Sequence, residues 1–178
     1  MNIKKSLVAA MAVALIGAAQ SAGALQSTSS FTVNITITPA CTVTVPGGNI
    51  TFLTPPNGNP NGETGTTTIN AKCTNTTPYV INLSGTNPGA VGTGAGNMIG
   101  AGAPANPDII AYQLFRPDDS TPWGNGGVPA TPANGLPDTG TGSLAGLNYT
   151  VHAHITGSTP AFPTPDSYQD TVNVDLEF

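Results

Sequence analysis

The chain has 178 residues, with four Lys or Arg against nine Asp or Glu. Beyond an N-terminal leader that carries Lys4 and Lys5, only Lys72 and Arg116 are basic, and the net charge is about −7 with histidines neutral. So few cations cannot neutralise phosphates, which excludes nucleic acid as a partner.

Residues 1–24 read as a secretory signal. Lys4 and Lys5 form a positive n-region, Leu7 to Ala19 an apolar h-region, and Ala22-Gly23-Ala24 a small-x-small cleavage site that places the mature start at Leu25. The apolar run is shorter than the ~20 residues a spanning helix needs. The remaining residues are enough for one domain with a core. Thr, Asn, Gly and Pro replace charge on its surface, which suits a secreted β protein packed against copies of itself.

Phe31-Thr-Val-Asn-Ile-Thr-Ile-Thr38 alternates apolar and polar without a fault. That period predicts a half-buried strand with Phe31, Val33, Ile35 and Ile37 on one face. Cys41 and Cys73 are the only cysteines; behind a signal peptide they predict one disulfide. Further strands are expected at Cys41 to Val45, Ile50 to Leu53, Thr66 to Cys73, Tyr79 to Ser84, Ile109 to Phe115, Leu147 to Thr156 and Thr171 to Phe178, punctuated by Gly/Pro turns. Gly85 to Pro107 and Pro117 to Ser143 read as long surface loops, the second anchored by Trp123. The whole predicts an antiparallel β-sandwich.

In the last strand Val172, Val174, Leu176 and Phe178 point one way, and the sequence ends there. An immunoglobulin-like sandwich usually has a further strand beside this one, so an open groove and an unpaired edge are expected.

These landmarks carry a family likeness. They are the alternating segment running into Cys41, Cys73-Thr-Asn-Thr-Thr-Pro-Tyr79, Ala111-Tyr-Gln-Leu-Phe-Arg116 with Trp123-Gly124, Thr150-Val151, and Tyr168-Gln-Asp-Thr-Val-Asn-Val-Asp-Leu-Glu-Phe178. In that order they resemble the spore coat protein U and Csu-type pilin family, the archaic branch of chaperone–usher pilus subunits. The resemblance implies an incomplete immunoglobulin-like sandwich lacking its final strand, with residues 25–38 as a donor-strand extension and 39–178 as the pilin domain. It also implies a periplasmic chaperone that lends a strand, an outer-membrane usher, and a head-to-tail homopolymer built by donor-strand exchange. The destination would be the cell surface, reached through the periplasm, with a role in attachment and biofilm formation. His152-Ala153-His154 departs from the Tyr-Gly-Arg common after Thr-Val in that family.

Phe31, Val33, Ile35 and Ile37 are then the donor anchors, and Val172, Val174, Leu176 and Phe178 the acceptor and chaperone-contact strand. Four anchors at roughly 1.5 to 3 kcal/mol each give about 6 to 12 kcal/mol before ordering costs. Self-insertion is unfavoured, because three residue steps from Thr38 to Cys41 span about 10 Å at most.

Other motifs receive plain readings. His152 and His154 share a strand face; they could hold part of a Zn or Cu site, but an exposed pair opposite Tyr149, Val151, Ala153 and Ile155 is the favoured reading. Asp118-Asp119 after Pro117 reads as an Asx-type turn rather than a calcium loop. No nucleophile–base pair is placed for catalysis, and neither a cofactor nor a metal is expected. Alternatives are a spore-coat-like or matrix protein of the same fold, and a self-contained carbohydrate-binding sandwich with Trp123 and Tyr112 as a stacking platform.

Overall fold

The computed structural model describes residues 25–53, 55–90, 92–102 and 106–178; the expected signal segment lies outside them. Among the described residues there is no helix. Nine strands follow in order: β1 (Cys41–Thr44), β2 (Thr64–Cys73), β3 (Pro78–Gly85), β4 (Ala95–Gly100), β5 (Ile109–Phe115), β6 (Leu136–Thr139), β7 (Leu147–Thr159), β8 (Tyr168–Gln169) and β9 (Val172–Glu177). They form a six-stranded sheet, β1-β2-β7-β5-β4-β8, and a three-stranded sheet, β6-β3-β9. Every pairing is antiparallel. The protein is an all-β, immunoglobulin-like sandwich.

Period-2 patterning builds the core. Ile69 and Ala71 of β2, Tyr112 and Leu114 of β5, and Tyr149, Val151 and Ala153 of β7 point inward from the large sheet. Tyr79, Ile81 and Leu83 of β3 meet them from the small sheet. The outer face of β3 is covered as well, since Asn82 exchanges hydrogen bonds with Gly127 in both directions, at 2.8 and 3.0 Å. Trp123 is fully buried and donates its indole N–H to the Ile81 carbonyl at 2.8 Å.

Within the single chain residues 31–38 pair with no other strand, because an alternating segment becomes a strand only when a second backbone satisfies its N–H and C=O groups. Other sequence expectations need correction. Ile50 to Leu53 likewise makes no ladder, although Ile50 and Phe52 pack against the core. The two expected loops contain β4 and β6. In β4, Ala95-Gly-Asn-Met-Ile-Gly100 has too few apolar side chains to show its period. Pro137 in β6 disguises an edge strand, a place where a missing N–H is tolerated.

Candidate functional site: an open apolar groove

A groove of about 530 Å³ opens between the two sheets. Ile69, Leu114, Val151 and Ala153 pave its large-sheet side, and Leu83 faces it from β3. One wall is Val172 and Val174 of β9; the other is Ile50 and Phe52. That second wall sits close to β2 because position 65 is glycine: a Cβ there would come within 2.6 Å of the Ile50 Cγ2 methyl and 3.5 Å of the Phe52 ring.

β9 pairs with β3 in a six-residue register from Val80↔Glu177 to Gly85↔Val172. Among the described residues no strand pairs with its other edge. Leu176 is half-buried against the core, while Phe178 lies past the strand and is 55 % exposed. Two of the four expected acceptor residues therefore line the groove, the third packs against the core, and the fourth is exposed.

The groove is polar at the end where β9 begins. The Tyr112 hydroxyl donates to Asp170 Oδ2 at 2.7 Å. The other carboxylate oxygen accepts the Thr86 N–H at 3.2 Å, the Thr86 hydroxyl at 3.1 Å and the Asn87 N–H at 3.0 Å. Asp170 thus fastens β5 and the turn after β3 to the start of β9. Burial, reinforced by the adjacent carboxylate, pushes the Tyr112 phenol above its ordinary range. The Tyr168-x-Asp170-Thr-Val172 run marks this corner in the sequence, yet Tyr112 as its partner is visible only in three dimensions.

The segment before the sandwich is the other half of the expectation. Phe31, Val33, Ile35 and Ile37 are 76–89 % exposed, an unusual state for four large apolar side chains in sequence alternation. Cys41 and Cys73 form the expected disulfide and stand directly opposite each other in the β1–β2 register.

His152 and His154 project from the outer face of the large sheet, half-buried, beside inward-facing Val151, Ala153 and Ile155. Nothing adjacent in the chain partners them, but Asp119 does: its Oδ1 lies 2.8 Å from His154 Nε2 and 3.4 Å from His152 Nδ1. No group of three His, Cys, Asp or Glu side chains among the described residues is arranged to hold a metal. The neighbouring Asp118 makes the expected turn, accepting the Ser120 and Thr121 N–H groups at 3.0 and 2.9 Å and the Thr121 hydroxyl at 2.6 Å. Those bonds hold its carboxyl down at about 2. Trp123 and Tyr112 are both buried and so present no stacking platform to a sugar. Among the described residues no helix is long and apolar enough to cross a membrane.

The fold is thus an immunoglobulin-like sandwich with a groove between its sheets and, among the described residues, one free edge of β9 on the rim. The chain belongs to the Spore Coat Protein U domain family, whose profile matches residues 27–175. That is a family of pilus- and spore-coat-like surface subunits, structural rather than enzymatic. Among curated proteins, none matches the chain.

Proposed function

We propose that this protein is the structural subunit of a chaperone–usher fimbria and polymerises head to tail by donor-strand exchange. Phe31, Val33, Ile35 and Ile37 of one copy enter the groove of the next and add a strand along β9. Before that, a periplasmic chaperone covers the groove and delivers the subunit to an outer-membrane usher. The fibre then serves surface attachment and biofilm formation.

One observation carries this reading. The same chain displays an exposed alternating apolar segment and a groove with an unpaired strand edge. Strand addition supplies main-chain hydrogen bonds, and pockets for alternate side chains fix the register. A contact between two different surfaces of one subunit repeats without closing and yields filaments.

Two full-length variants test it when co-produced with the chaperone and usher. Ile35→Asp spoils the donor and spares the groove; Val174→Asp does the reverse. Neither alone should polymerise, and a mixture should stop at a heterodimer. Wild-type-length polymers from Ile35→Asp would sink the proposal.

A further inference from the structure

The disulfide sits at a mechanically special place. Thr38 is separated from Cys41 by Pro39 and Ala40 alone. Cys41 opens β1, a four-residue edge strand paired, among the described residues, with β2 alone. Its bridge crosses directly to Cys73, the last residue of β2, with a Cα–Cα distance of 4.1 Å. Alongside, the Thr74 N–H donates to the Ala40 carbonyl at 2.9 Å, and the Ala40 N–H donates to the Thr74 hydroxyl at 3.2 Å. After the four residues 74–77 the chain enters β3, and β3 holds β9, the groove's rim, through their six-residue register.

We infer that the Cys41–Cys73 bridge is the load-bearing link of the assembled fibre, a covalent bypass from the donor segment to the strand pair that grips the next donor. The inference rests on the head-to-tail reading above. A fibre under tension pulls each subunit at Thr38 on one side and at the groove on the other. With the bridge closed, the pull leaves β1 after its first residue, passes to Cys73, and reaches β9 through residues 74–77 and β3. The 32 residue steps from Cys41 to Cys73 lie outside that route. They include β1, the stretch 45–63 with its Ile50–Phe52 wall, and β2.

Opening the bridge transfers the load to β1. Four residues paired on one side only are pulled from their end, so their bonds break one after another rather than together. The segment behind them has no ladder of its own and follows. Fully extended, the released stretch from Cys41 to Cys73 spans about 110 Å at ~3.4 Å per residue. The bridge thereby also protects the groove wall made by Ile50 and Phe52 from being drawn out by tension.

The test uses filaments assembled from the full chain and stretched singly between optical traps, first oxidised and then after a reductant is flowed in. Alkylation of the recovered protein verifies that the thiols were exposed. Reduced filaments should lengthen in steps of up to about 110 Å per subunit at forces where oxidised filaments extend without steps. Superimposable traces before and after verified reduction would overturn the inference while leaving donor-strand assembly standing. Failure of the full chain to form filaments with its chaperone and usher would remove the assembly reading instead, and this one with it. Reduction after assembly keeps the result independent of whether a Cys41→Ser/Cys73→Ser chain folds.

Discussion

Tyr112 and Asp170 meet at 2.7 Å where the groove ends, joining the middle of β5 to the residue pair that leads into β9. Tyr112 is buried, and its partner is a carboxylate already held by Thr86 and Asn87. Tyr112→Phe removes the donor without opening a cavity. A hydrogen bond to a charged group is worth about 1.5–3 kcal/mol, so the urea midpoint should fall accordingly with an unchanged slope. A loss below a few tenths of a kcal/mol would show that the corner is held by Thr86 and Asn87 alone.

High pH should unfold the sandwich. Tyr112 is raised above the ordinary phenol value of 10.0 by burial and then by Asp170. Tyr149 is raised by burial, then by its bonds to Asp138 and Tyr79. A folded-state value above the unfolded one gives stability that is complete below about pH 10 and is lost as pH climbs past it. Chemical denaturation should therefore show a flat plateau through neutral pH and a fall beyond pH 10. Tyr149→Phe, which takes one such phenol away, should shallow that fall. An equally steep decline in the variant would count against the assignment.

The acid limb has the opposite sign. Hydrogen bonds from Thr121 and Ser120 lower the Asp118 carboxyl from 3.8 to about 2, and Asp108 and Asp166 are lowered by their own donors. Their contribution is present above about pH 4 and disappears as pH falls toward 2. Asp118→Asn should be less stable than the parent at neutral pH and converge with it near pH 2, as read from thermal midpoints across that range.

Trp123 is the only tryptophan, and its burial makes it a reporter. Emission should be blue-shifted in the folded protein and move to the red on unfolding. Trp123→Phe leaves the Ile81 carbonyl without its side-chain donor, at a cost of about 1–3 kcal/mol. Trp123→Ala adds a cavity and should cost about 3–5 kcal/mol. Equal losses in the two variants would mean that ring volume contributes nothing.

Donor binding as proposed should have a thermal signature too. Full-length Ile35→Asp has an intact groove but a spoiled donor, so adding a peptide of residues 27–38 should raise its melting midpoint. At a hundred times the dissociation constant the gain is about 2.7 kcal/mol, or roughly 5–11 °C for a domain of this size. The same peptide bearing the aspartate should give none.

Much of this architecture is legible in the residues. Alternation finds β1, β2, β5, β7 and β9 because each has one face drier than the other, and β3 is found from its apolar run Tyr79 to Leu83, covered on both faces. It misses β4, whose glycines carry no hydropathy, and β8, which is two residues long. It overstates Ile50 to Leu53, where the pattern is present but the pairing backbone is not, and in the single chain Phe31 to Thr38 keeps its pattern without a partner. Within the candidate site, Val172 and Val174 follow from the period of β9 alone. The opposing wall does not, since nothing in Ile50-Thr-Phe52 announces that it lies over Gly65. Asp119 likewise reaches His154 only because a turn brings it over the sheet.

Gly65 marks a weak point of design. Any other residue at that position would thrust a methylene or methyl into the space of the Ile50 side chain, 2.6 Å away. A single added carbon would pry loose the hydrophobic bank opposite β9 while every residue of the groove itself stayed native. In the proposed assembly, the grip on an incoming strand would thus be tuned from beneath, by a position outside the groove's lining.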